Sequence, residues 1–351
     1  MSVYGKINAN VLTSSGSFIK DDSANVAFYK TGEFTVSTKS ALTLEVNGES
    51  VTIASNTAVT MPESANTGTD YVIWVTPTGT IQATTEFISP PVANSRKIGG
   101  FHYAPGGNAT AQSGGNTTPQ INEYSFWDLK FRPTCKDPRG MALVNNLFWC
   151  DIYLTGVDAI TLGSSRYNQI IADGSSPPKI PVMFGGTGSS TYGSYTWFEA
   201  QELAMAFGKR SLTYWEFSNA AYGTTEAVSR SGSDSNYAPD KTGIGTSTNN
   251  PERTGSYYPD EYFTSKWGII QSTGCMWIWG RERGGPYAAA SWNANTEGRG
   301  SEYNGPNASL FGGGWNDGSV SGSRCSYWYS AASSSDYGVG SRFACDHLIL
   351  D

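Results

Sequence analysis

Thiols, imidazoles and carboxylates are where chemistry would begin, and this chain holds them sparsely. Its five cysteines, Cys135, Cys150, Cys275, Cys325 and Cys345, are an odd number without a CxxC spacing. That pattern is neither a disulfide framework nor a zinc or redox motif. Cys135 and Cys150 flank a turn at residues 137–140 and either face each other across a hairpin or are buried separately. The two histidines, His102 and His347, are too few for a Ser-His-Asp or Cys-His pairing or a poly-histidine metal site. His347 lies in an apolar closing run and reads as structural. Asp and Glu are scattered, and no pair stands out as acid and base. The glycine runs at 312–314 and 284–285 lack the strand-to-helix setting of a phosphate loop and read as turns or close packing. The residue types point away from catalysis.

The elements that would carry these groups fall into two patterns. Residues 1–125 read as all-β. An alternating run at 42–46 turns at Asn47-Gly48 and returns at 51–53, a strong hairpin signal. Further strands are expected at 71–75, followed by a turn at 77–79, and at 97–103; their spacing suggests a sandwich. The Gly/Asn-rich stretch 105–120 reads as a loop near the domain boundary. In residues 126–351 two capping boxes appear. Thr196 with Glu199 starts one helix, which runs to Gly208, and Thr213 with Glu216 starts another, which stops at Gly223. Residues 229–257 read as an exposed insertion. Strands are expected at 275–279, 326–330 and 344–350, with Trp277 and Trp279 both in the core. The class is α+β: a β-sandwich followed by a domain with two helices and a small antiparallel sheet.

Residues 311–343 carry the strongest functional signal. They are almost wholly Gly, Ser, Tyr, Asn, Asp and Ala, pinned by Trp315, Trp328, Arg324 and Arg342. Tyr supplies rigid amphipathic area, and Ser, Gly and Asn supply adaptable hydrogen bonds, as in antibody-type contact surfaces. Alternation along 327–329 sends Tyr327 and Tyr329 outward and Trp328 toward the core. The chain as a whole is poor in charge, at 15%, and rich in glycine, with 41, as suits a loop-rich extracellular or particle-borne protein. Its net charge of -7 argues against a nucleic-acid partner. No apolar run is long enough for membrane insertion, and no Sec signal is visible at the start.

Three segments, GCMWIWG at 274–280, FGGGWND at 311–317 and GSRF at 340–343, together resemble the C-type lectin fold in its formylglycine-generating-enzyme-like branch. With the stretch at 99–133 and the ending at 345–350, the chain is similar to the phage tropism determinants, receptor-binding tail-fibre proteins diversified by a retroelement. The resemblance covers most of the chain. It implies a C-type lectin-like domain at 126–351, a homotrimer on the virion tail fibre, other phage tail proteins as partners, and a host cell-surface protein or glycan as receptor. It further implies a variable contact surface at Gly314, Asn316, Asp317, Gly318, Val320, Tyr327, Tyr329, Ser330, Ser334, Asp336, Gly338 and Val339. The family's N-terminal β-prism is expected to be missing here, leaving attachment to the fibre unassigned.

Two other readings compete. Trp315-Asn316-Asp317 matches the WND of calcium-dependent glycan-binding lectins, but the companion Glu-Pro-Asn or Gln-Pro-Asp tripeptide is absent; residues 250–252 only jumble it. Calcium wants six to eight oxygens, so WND reads as a turn, no cofactor is expected, and a structural calcium is left open. An enzyme of the formylglycine-generating type would need a reactive cysteine pair, for which Cys325 and Cys345 are the candidates. Cys345 sits in an apolar strand, where a thiol is usually inert, and no catalytic residue is assigned.

Overall fold

The computed structural model describes residues 17–231, 239–244, 258–285, 292–294 and 298–350. Alternation drives the first part into strands. Leu42, Leu44 and Val46 are buried while Glu45 faces out, and Leu42–Val46 pairs with Glu49–Ile53 in register from Leu42 opposite Ile53 to Val46 opposite Glu49. Asn47 and Gly48 make the turn at φ 53° and 84°, the left-handed region that these two residues tolerate best. Phe18–Lys20 completes this three-stranded sheet. Against it lies a five-stranded sheet in which Arg96–Ala104 is flanked by Thr69–Val75 and Trp127–Asp128, and Ile81–Thr84 forms the far edge. One apolar core from Phe18 to Phe126 joins the layers.

The remaining chain is organised around two sheets rather than the single small one expected. In the first, the closing strand Phe343–Ile349 lies between Phe131–Pro133 and Phe148–Asp151, with Met141–Val144 beyond. In the second, the order is Ser326–Ser330, Asn307–Phe311, Trp277–Gly284, Val339–Gly340, and the last pairing is parallel. Two helices pack beside them. Trp197–Ala206 starts at a complete capping box in which the Glu199 carboxylate accepts from the Thr196 amide at 2.8 Å. Tyr214–Ala220 starts at the same device on Thr213 and Glu216. A third, one-turn helix, Ala159–Leu162, lacks a side-chain cap, which is why the sequence gives no sign of it. The segment read as an exposed insertion is anchored at its start: Ser229, Arg230 and Ser231 are buried. Most of 232–257 lies outside the described residues.

The cysteines take the second of the two arrangements open to them and are buried separately. Cys150 does not face Cys135; it stands opposite Ala142 on one side and Ala344 on the other. Successive side chains on a strand point to opposite faces, so Cys150 enters one core while Trp149 and Cys345 enter another, together with Cys135.

A buried polar chain ties the two halves together. Asp70 Oδ1 lies 3.0 Å from His102 Nδ1, and His102 Nε2 lies 2.7 Å from the Tyr153 hydroxyl. The Gly140 amide also donates to Asp70 at 2.9 Å. Burial pushes the Asp70 carboxyl up, but His102, Arg166 and the Gly140 amide outweigh it and hold the group below its ordinary value. A depressed folded value contributes stability above the unfolded carboxylate pKa. That contribution is lost as pH falls through the folded value, below about 4. Asp70→Asn should therefore lower the melting temperature at neutral pH and flatten its acid dependence. Melting curves from pH 7 to pH 3 test this; an unchanged acid limb would remove Asp70 from the account.

Candidate binding face

The second sheet presents its outer side through a strand that alternates. In Ser326–Ser330, Tyr327 is 44% exposed and Tyr329 is 60% exposed. Trp328 points the other way, its ring 6.2 Å from Phe311 and 6.5 Å from Tyr214. It is half-buried rather than enclosed. It packs against the core as a lid, and its Nε1 donates to Ser326 Oγ at 3.1 Å.

Next to this strand the sequence reading needs a correction. Trp279 is fully buried, but Trp277 is not. Trp277 is half-buried at the rim of the core that holds Trp279, with its ring 5.8 Å from Tyr327. Met276 and Ile278, on the opposite face, are buried as well, so the strand is covered on both faces; alternation places both tryptophans on one face and does not say which lies at the rim. Trp277 lies beneath several of the positions singled out by resemblance. A side chain added at Gly314 would lie 3.2 Å from its ring, its amide donates to the Gly338 carbonyl at 3.0 Å, and it is registered beside Val339.

The loop between the strands is held by its own polar groups. At Gly313, φ is 84° and a Cβ would come within 2.3 Å of Ser321 Oγ, so glycine is required there. Asp317 Oδ2 accepts from the Gly314 amide at 2.6 Å, which makes the WND motif a turn closed by its own aspartate. Gly318 donates to Ser229 Oγ at 2.8 Å. Asp336 Oδ1 accepts from the Gly338 amide at 2.7 Å, and Tyr337, exposed, sets its ring 5.4 Å from Trp315.

Of the twelve positions singled out by resemblance, Asn316, Val320, Tyr327, Tyr329 and Asp336 are exposed. Asp317, Gly318, Ser330 and Ser334 are half-buried, and Gly314, Gly338 and Val339 are buried. The last three shape the floor. Trp277 and Tyr337 stand beside these positions without being among them. Tyr337 could have been taken from its place in a Tyr/Ser/Gly-rich run, whereas nothing in the sequence marks Trp277.

The arrangement offers aromatic area and hydrogen-bonding groups. Among the described residues, no three His, Cys, Asp or Glu side chains gather as a metal cluster would, and no helix is long and apolar enough to cross a membrane. The Cys325 thiol is pushed up to about 11 by burial, and burial also raises Cys150 and Cys275, so none of these three is poised as a thiolate. His347 accepts from Trp149 Nε1 at 2.9 Å and packs on Phe131, a structural role.

Comparison with known proteins agrees with this architecture. Residues 26–128 match the family model described as the Mtd second domain. The chain is 50% identical over 337 residues to the tail fiber receptor-binding protein of Bordetella phage BPP-1, covering 95% of this chain and 85% of that protein. The solved Major Tropism Determinant M1 variant superposes with a TM-score of 0.90 at 48% identity, covering 98% of this chain and 88% of that one. The I1 variant gives 0.90 at 47% identity with the same coverage. With half its residues shared along nearly its whole length, the chain belongs to the family of phage major tropism determinants.

Proposed function

We propose that the chain is the receptor-binding protein of a phage tail fibre and that it contacts a host cell-surface receptor through the face built on Trp277. The observation that carries this reading is the disposition of Tyr327 and Tyr329, exposed on one side of a strand whose other side is packed by Trp328. Tyrosines held rigidly by a folded scaffold contribute contact area with little loss of side-chain freedom. The contact set comprises the exposed and half-buried members of the twelve positions together with Trp277 and Tyr337, while Gly314, Gly338 and Val339 set the shape beneath them. The division into a β unit up to about residue 125 and a lectin-like unit after it belongs to the same proposal.

Competition for adsorption tests it. Excess soluble chain is expected to block adsorption of phage carrying the same protein, and chain altered at Tyr327 and Tyr329 is not. Equal blocking by both would reject the face.

Binding through this face is expected to be independent of calcium, because Asp317 closes its own turn. Chelation with EDTA should leave adsorption by the purified chain unchanged; loss restored by Ca²⁺ at constant melting temperature would favour the glycan-binding lectin reading.

The family also leads us to propose a homotrimer. Linked sites raise avidity by roughly 10² to 10⁴ without new contacts. Light scattering should return three times the 37.6 kDa of one chain; a monomer at micromolar concentration would contradict it.

A further inference from the structure

Cys135 and Cys345 come from distant parts of the chain yet face each other. The closing strand pairs with Phe131–Pro133 so that Phe131 is opposite Ile349, Arg132 opposite Leu348 and Pro133 opposite His347. The ladder extends one step further, with the Thr134 amide donating to the Asp346 carbonyl at 3.0 Å. The next pair is Cys135 and Cys345. On its other edge Cys345 is registered with Trp149, so its backbone groups point away from Cys135 and the two cysteines form a non-hydrogen-bonded pair. Such pairs hold their Cα atoms about 4.5 Å apart with side chains on one face, inside the roughly 4.4–6.8 Å that a disulfide requires. Both residues are buried, at 2% and 1% exposure, in the same small core as Met141 and Trp149. Cys135 also lines a cleft of about 570 Å³ together with Phe87, Trp127, Phe207 and Lys209, so a small oxidant reaches the pair from the Cys135 side.

We propose that Cys135 and Cys345 are an oxidation site that closes into a cross-strand disulfide, tying the last strand to the start of the C-terminal half when the protein passes from a reducing cell interior to an oxidising medium. The oxidant is a low-molecular-weight disulfide such as glutathione disulfide. One thiol of the pair, as thiolate, attacks one of the oxidant's sulfurs and expels a glutathione thiolate. The other thiol gives up its proton and attacks the protein sulfur of that mixed disulfide, expelling the second glutathione thiolate. Two protein thiols are oxidised, one disulfide is reduced to two thiols, and the proton count balances. The Lys209 ammonium beside the pair favours a thiolate there. A tail-fibre protein made in a cytoplasm and used outside it meets the change of redox environment that such a bridge needs. The proposal does not depend on where the receptor binds.

The test uses the full chain, purified with reductant and then incubated with glutathione disulfide. Thiols are counted by maleimide addition under denaturing conditions, and peptides are mapped by mass spectrometry. The expected result is a fall from the five thiols of the reduced chain to three, a peptide linking Cys135 to Cys345, and a melting temperature that rises on oxidation and falls on reduction. Cys135→Ser should lose the linked peptide and its rise in melting temperature on oxidation, and Cys150→Ser should still close the bridge. Five thiols remaining in the unaltered chain, a link involving Cys150, Cys275 or Cys325, or glutathione retained on Cys345 of the unaltered chain would overturn the proposal. Should Cys135→Ser fail to fold, the peptide map of the unaltered chain decides alone.

Discussion

Arg342→Ala is expected to destabilise the fold by at least about 3 kcal/mol, because a buried acceptor left unpaired costs roughly 1–3 kcal/mol and this one change leaves several. Arg342 is 1% exposed. Its Nη1 donates to the carbonyls of Asp151 and Ile152 at 2.8 and 2.6 Å, and its Nη2 to those of Ile270 and Gln271 at 2.5 and 3.1 Å. The side chain thus stitches the end of one strand to a loop more than a hundred residues away, just where the closing strand begins. Lysine should not rescue it, since a single ammonium has no planar fork to span two pairs of carbonyls. Denaturant melts of Arg342→Ala and Arg342→Lys test this. A loss under about 1 kcal/mol for alanine would show that water replaces the guanidinium without cost.

The second large effect is on binding. Tyr327→Ala and Tyr329→Ala should each change stability by about 0.5 kcal/mol or less, as exposed positions usually do. Each should nevertheless weaken receptor binding by roughly 2 kcal/mol, the scale of a tyrosine hot spot. Trp279→Ala, in the enclosed core, should cost about 3–5 kcal/mol of stability. Trp328→Ala should cost less than that, because its ring is only half-buried. Trp277→Ala separates the account from a simpler one in which only the variable loop matters: it should reduce binding while the chain remains folded. Full binding by Trp277→Ala would restrict the face to the loop and the outer strand.

Much of this was legible before the structure. The capping boxes at Thr196 and Thr213 are local devices whose partners lie three residues apart, so sequence spacing suffices to read them. The Asn47-Gly48 hairpin is local in the same sense. The direction of Tyr327, Trp328 and Tyr329 followed from alternation. What escaped the sequence was set by pairing at long range. Trp277 and Trp279 have the same parity on one strand and pack against the same core, yet Trp277 opens the strand at the rim of that core, half-buried with its ring against Tyr327, while Trp279 is enclosed. Cys135 pairs with Cys345 rather than Cys150 because the closing strand enters the sheet between Phe131–Pro133 and Phe148–Asp151. No spacing within residues 135–150 carries that information. Three of the twelve positions implied by resemblance sit beneath the surface for a related reason: their backbone pairs with the segment that carries Trp277.

Adsorption to its host of phage bearing the double variant Tyr327→Ala, Tyr329→Ala tests the central claim most directly, with the melting temperature of the same purified variant measured alongside. The account predicts that melting stays close to that of the unaltered chain while adsorption falls by about 30-fold or more, the factor that 2 kcal/mol represents. Unchanged adsorption by the folded double variant would contradict it and move the receptor contact off this face.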